Sequence, residues 1–164
     1  MYQEDVKDTL RSQLEISRER AISLGEEAVR IIRNGYYDLP DGRRVDIRDD
    51  LDRSIKGTQV YRQHVDSETY AGGKETIIKV QNQTTLAAVQ ELIAVGEKPV
   101  ALNFSSPSEP GGGFLRGSRA QEEYLARSSG IWACLNECPV YFHSKTDLED
   151  LQTTLHLFTG CGCV

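Results

Sequence analysis

The stretch ALNFSSPSEPGGGFLRGSRAQEEYL, Ala101–Leu125, decides how this chain is read. It continues an apolar run, KPVALNF at Lys98–Phe104, that has the make-up of a strand buried on both faces. Three consecutive glycines follow, Gly111, Gly112 and Gly113. Ser118 then offers a helix cap, and Gln121, three residues on, completes a capping box. Glu122 and Glu123 fall just inside that helix. Strand, glycine turn and helix in this order form a unit of layered α/β folds. Ligands in such folds sit beyond the carboxyl ends of the strands, where this turn lies.

The residue types in the unit carry chemistry. Without Cβ atoms, the three glycines admit positive φ and let a ligand approach the backbone, and their successive N–H groups can form an anion nest. A tight loop that needs glycine only for its geometry would use the same residues. No Gly-Lys-Ser/Thr follows, so this is not an ATP-type P-loop. Glu122 and Glu123 are adjacent and so point about 100° apart on a helix. The macrodipole favours acids at a helix start whatever their use. Beside an anion nest they also make an acid/base pair suited to cleaving a bond near a phosphate. Two effects oppose each other: the helix start lowers a carboxyl pKa, whereas a general acid needs it raised. Burial or a ligand phosphate supplies the raising effect.

Asn103, where the strand emerges beside the loop, either reads a ribose or base or ties the loop down. Phe104 and Phe114 read as packing residues. Arg116, Arg119 and Arg127 add local positive charge, either solvated or with one reaching a phosphate. His64, His143 and His156 have no obvious partner, and none is assigned a catalytic role.

Moving upstream, Thr84–Gly96 reads as a helix with Thr84 as its cap and Gly96 as its stop. Thr76–Val80, TIIKV, reads as a strand, and Ser67–Glu75 as a turn-rich connection before it. Arg43–Leu51 begins as a short alternating strand and becomes a charged loop. Val6, Leu10, Leu14, Ala21, Leu24, Ala28 and Ile31 trace one amphipathic helix, irregular near Ile16, that Gly35 terminates. Downstream, Cys138–His143 is a candidate strand and Asp147–Phe158 a last helix.

At 164 residues the chain suits one modest domain. A net charge of −6 argues against general nucleic-acid binding, which needs a basic surface. There is no apolar run of about 18 residues, so no transmembrane helix is expected. The first residues, MYQEDVKDTLRSQ, lack a signal-peptide core. Cys134, Cys138, Cys161 and Cys163 lack the usual two-residue zinc spacing and read as reduced thiols, so a cytoplasmic or nuclear setting is expected.

Gly111-Gly112-Gly113, seven residues, then Gln121-Glu122-Glu123 resembles the signature of the poly(ADP-ribose) glycohydrolases. Leu102–Ser129 is similar to the microbial-type branch in particular. Arg33–Tyr37, Gly57–Tyr61 and Val80–Leu92 extend the likeness, which covers roughly Arg18–Leu135. The resemblance implies a three-layer α/β/α macrodomain-like mixed sheet with ADP-ribose in a cleft at the strand ends. Residues 1–35 would form an N-terminal helical segment and residues 36–164 a partial glycohydrolase domain. It implies hydrolysis of ribose–ribose O-glycosidic bonds in poly(ADP-ribose). By motif position, Glu123 is the catalytic acid, Glu122 positions the ribose beside it, Gln121 is a substrate-binding residue, Gly111, Gly112 and Gly113 line the diphosphate, and Asn103 contacts the same ribose region. Glu123 would protonate the departing ribose oxygen as an oxocarbenium-like centre develops on the other ribose. The diphosphate would stabilise that charge, and water would complete the reaction.

The implied partners are poly(ADP-ribose) or ADP-ribosylated proteins, with no metal or cofactor, no DNA or membrane contact, and a monomeric state. After about Tyr141 the family's later strands have no counterpart, and Thr159–Val164 matches only the start of a phosphate loop. An incomplete sheet and weak or absent turnover are therefore expected. Two alternatives stand beside the hydrolase: a module that binds ADP-ribose without cleaving it, and a non-functional fragment.

Overall fold

The structure is a computed structural model that describes residues 15–60 and 75–138, and the backbone of residues 157–159. Helix α1, Arg18–Asn34, starts where the Ser17 side chain accepts the Arg20 N–H. It ends at Gly35, whose left-handed φ of 74° returns its N–H to the Ile31 carbonyl. Ala21, Gly25 and Val29, four apart, make its buried stripe. The part of this helix expected before residue 15 lies outside the described residues.

Strands β1, Tyr36–Asp38, and β2, Arg44–Asp46, pair antiparallel with Tyr37 opposite Val45. The segment after β2 is not the expected charged loop but helix α2, Arg48–Gly57. Its charges favour the helix: Asp49 and Asp50 lie in the first turn, Lys56 in the last, and the Asp46 carboxylate accepts the Arg48 N–H. Leu51 anchors it as a buried residue.

Helix α3, Thr85–Ala94, bears out the Thr84 cap, which accepts the Ala87 N–H at 3.2 Å. Before it, residues 76–80 are not a strand. Ile78 and Val80 are 86% and 94% exposed. β-Propensity expresses fit to a pleated, half-buried surface, and no described residue offers this segment one. Strand β3 is shorter than expected, Val100–Leu102, and it is not buried on both faces: Val100 and Phe104 are 55% and 70% exposed. Phe104 is therefore not a packing residue. β3 pairs antiparallel with β4, Leu157–Thr159, in the register Ala101 opposite Phe158. Leu157 and Phe158 are thus strand rather than the end of a helix.

The glycine turn leads into a 3₁₀ turn, Phe114–Arg116, then helices α4, Gln121–Ser128, and α5, Ile131–Asn136. α4 starts later than expected. Its cap position is Ala120, which makes no side-chain cap bond, so Ser118 caps nothing. The core joins the three parts that hold the turn: Val29 of α1, Phe114 of the 3₁₀ turn and Ala126 of α4, with Ile131 and Trp132 packed on them. Phe114 does pack as expected, its ring tilted against Trp132 at 6.0 Å. α1 approaches so closely that a Cβ at Gly25 would meet the Phe114 carbonyl oxygen at 3.0 Å. These helices and two short strand pairs make an α/β fold with an incomplete sheet. The expectations for residues 67–74, 139–143 and 147–156, for the three histidines, and for Cys161 and Cys163 lie outside the described residues.

Candidate active site

The glycine turn exists to bring two carboxylates against backbone. Gly111 and Gly112 have φ of 75° and 59°, open to glycine with little strain. A Cβ on Gly112 would fall 2.5 Å from Glu123 Oε1 and 3.1 Å from Glu122 Oε2. α4 supplies both acids from its first turn, and both are buried.

Glu122 is fully engaged. Its Oε2 accepts the Ser106 N–H at 2.6 Å and its Oε1 accepts the Gly111 N–H at 3.2 Å. Glu123 is half engaged. Its Oε1 accepts the Gly113 N–H at 3.0 Å, while its Oε2 is buried without a hydrogen-bond partner among the described residues. The Gly112 N–H closes the turn on the Glu109 carbonyl at 2.9 Å. From the sequence these N–H groups can form an anion nest or a purely geometric turn, and the resemblance implies that the glycines line a diphosphate. Each instead serves the protein, two of them on the signature acids. Anchoring buried carboxylates satisfies donor and acceptor at once, which an empty nest would not.

Asn103, only 5% exposed, lies at the end of β3. Its Nδ2 donates to Ser105 Oγ at 3.3 Å, and its Oδ1 is a second buried acceptor without a partner among the described residues. Glu123 Oε2 and Asn103 Oδ1 are thus two buried oxygens of this segment without a partner among the described residues. The Gln121 amide is committed to the protein, with its Oε1 on the Phe104 N–H and its Nε2 on the Leu102 carbonyl.

The arginines serve the scaffold. Arg116 pairs with Glu109 across the turn and lowers its carboxyl pKa. Arg119 donates to the Ile16 carbonyl and Arg127 to the Ser118 carbonyl. Burial lowers the pKa of Arg127, and the charge of Glu123 opposes that effect. Sequence reasoning missed Ser106 and Glu109. The signal was present in Ser106-Pro-Ser-Glu109, whose serine Oγ accepts the Ser108 and Glu109 N–H groups in a side-chain turn. Cys134 and Cys138 are buried, and the described residues contain no group of three metal-ligating side chains. A cavity of about 400 Å³ lies elsewhere, between α1, the β1–β2 hairpin, α2 and the end of α4, and contains neither glutamate.

Burial raises the Glu122 pKa above its ordinary value, and repulsion from Glu123 adds to the rise. The Ser106, Asn103 and Gly111 hydrogen bonds oppose it without cancelling it. The folded state then holds a proton that the unfolded chain has already lost. Glu122 contributes its stabilisation fully below the ordinary carboxyl pKa and loses it as pH rises through the raised value. Denaturant melts of wild type and Glu122→Gln across this range test the sign. Their stability difference is expected to shrink as pH rises, and an increase would contradict the raised pKa. At every pH the variant is expected to be the less stable, because its amide NH₂ must face either the Ser106 or the Gly111 N–H.

Among known proteins, the family profile described as the microbial-type PARG catalytic domain matches residues 25–159. The crystal structure of poly(ADP-ribose) glycohydrolase (PARG) from Thermomonospora curvata is similar, at 36% identity and a TM-score of 0.64. The match covers 77% of this chain and 49% of that one. The same enzyme bound to the inhibitor ADP-HPD matches at 34% identity and a TM-score of 0.63, over 77% of this chain and 47% of that one. The chain thus spans about half the length of these structures. No curated protein gives a significant match.

Proposed function

Because the chain belongs to the microbial-type PARG catalytic-domain family, we propose that it hydrolyses the ribose–ribose O-glycosidic bonds of poly(ADP-ribose). The observation that carries this reading is the buried, unpartnered Oε2 of Glu123. One oxygen is held by the Gly113 N–H, so the other has a defined direction and nothing of the described protein to bond. Glu123 is the general acid: a proton on Oε2 passes to the departing ribose oxygen as positive charge develops on the other ribose. Water then attacks that centre, with the ionised Glu123 accepting its proton.

Glu122 is a positioning residue, since both of its oxygens hold backbone. A single acting carboxylate departs from the usual two-carboxylate glycosidase scheme, and the substrate's own diphosphate supplies the missing negative charge. Asn103 Oδ1 accepts a ribose hydroxyl. Gly112, whose missing Cβ would lie against both acids, keeps the space beside them free of a side chain, and Gly111 and Gly113 complete the turn that lines the diphosphate. The T. curvata enzyme's complex with ADP-HPD supports an ADP-ribose-like ligand.

The partners are poly(ADP-ribose) or ADP-ribosylated proteins. The chain acts as a monomer in the cytoplasm or nucleus without direct DNA contact. No helix among the described residues is long and apolar enough to cross a membrane. Incubation with poly(ADP-ribose) beside an ADP-ribose titration tests the proposal. Slow release of ADP-ribose is expected. Binding without release would assign a binding module instead, and a folded sample showing neither would overturn the reading.

A further inference from the structure

Gln121 belongs to the signature, yet its amide bonds the strand end as a neighbouring strand would. Its Oε1 accepts the Phe104 N–H at 2.8 Å and its Nε2 donates to the Leu102 carbonyl at 2.7 Å. These two groups flank Asn103, and bonding both is the pattern a neighbouring parallel strand makes around one residue. The second proton of Nε2 reaches Thr85 Oγ1, at the start of α3, at 3.2 Å. One side chain therefore joins the end of β3, the start of α3 and the first residue of α4. The next two residues of α4 are Glu122 and Glu123, and the residue it straddles is Asn103. Both amide protons are committed, so the group has no donor left for a substrate.

We propose that Gln121 is a positioning residue rather than a substrate contact: its amide fixes α4 against β3 and so sets the spacing between Glu123 Oε2 and Asn103 Oδ1. The reach of those two oxygens towards one ribose rests on the function proposed above, whereas the clamp does not.

Amide hydrogen exchange on the whole chain tests the clamp without any turnover. Gln121→Met keeps the bulk and loses every bond. Phe104, Gly111 and Gly113 N–H groups should all exchange at least about tenfold faster, in a protein that still melts cooperatively. Faster exchange at Phe104 alone, with both glycines unchanged, would overturn the proposal, because the clamp would then be local to the strand end. Should Gln121→Met not fold, Gln121→Glu decides by the same readout. It keeps an acceptor for Phe104 but sets an oxygen against the Leu102 carbonyl. Unfolding of both variants would also overturn the proposal, by making Gln121 a requirement of the whole fold.

In turnover, a positioning residue predicts that kcat falls by about 10²-fold, as sub-ångström misplacement of a reacting group allows. The Kd for ADP-ribose should stay within about twofold. A weakened Kd with kcat preserved would make Gln121 a substrate contact. A wild type that never releases ADP-ribose would sink the hydrolase reading and leave the exchange experiment to decide the clamp.

Discussion

Glu123→Gln is expected to abolish poly(ADP-ribose) hydrolysis, with a loss of about 10²–10⁴-fold, while ADP-ribose binding stays largely intact. The asymmetry of the two acids leads to this expectation. Glutamine at 123 can keep its Oε1 on the Gly113 N–H, and its Nε2 then occupies the position of the unpartnered Oε2. The amide preserves shape and anchoring but cannot cycle a proton as a carboxyl group does. At Glu122 the same change sets an NH₂ against a backbone N–H, because Ser106 and Gly111 occupy both oxygens. That variant should lose stability, and rate and affinity should fall together. Melting curves, ADP-ribose titration and product release on both proteins separate the roles. Near-full turnover by Glu123→Gln would require a different acid.

Gly112→Ala is expected to cost turnover by about 10²-fold through displacement of Glu123. Two effects act at this position. The φ of 59° strains any residue with a Cβ, at about 1–3 kcal/mol. The added methyl would also lie 2.5 Å from Glu123 Oε1, so the carboxylate must shift and its bond to Gly113 must stretch or break. Gly42→Ala separates the two. Its φ is 83°, and a Cβ there meets nothing within 4 Å. It should show the strain in a denaturant melt and keep its turnover. Equal turnover losses in the two variants would mean that strain, rather than displacement of the acid, accounts for the effect.

Some of this site could be read before any coordinates. Thr84 and Gly96 bracket α3 as their types demand, and Gly35 ends α1 in the left-handed conformation that favours glycine. These are local signals, settled by backbone sterics and the nearest hydrogen bonds, so a window of a few residues contains them. Ser118 misled for the complementary reason. A capping box was available, but Gln121 makes its hydrogen bonds with β3 and α3, more than fifteen residues away in sequence, and α4 starts without a side-chain cap. Thr76–Val80 misled because a strand needs a partner ladder, and pairing is not a property of the strand's own residues.

By itself, the sequence determined which residues meet: a strand end, three glycines and two acids within one short segment, and with them the family. It determined the C-terminal end of α1 and both ends of α3 as well, because caps and positive-φ glycines act over one turn. The tertiary structure alone decided what each group does there. It directed the Gly111 and Gly113 N–H groups onto Glu122 and Glu123, and among the described residues it satisfied both oxygens of one acid but only one of the other. It also committed the Gln121 amide to the strand end. Hydrogen-bond partnership depends on directions and distances good to a few tenths of an ångström. Residue type lists the donors and acceptors, and only packing against α1 and β3 brings a particular pair within reach.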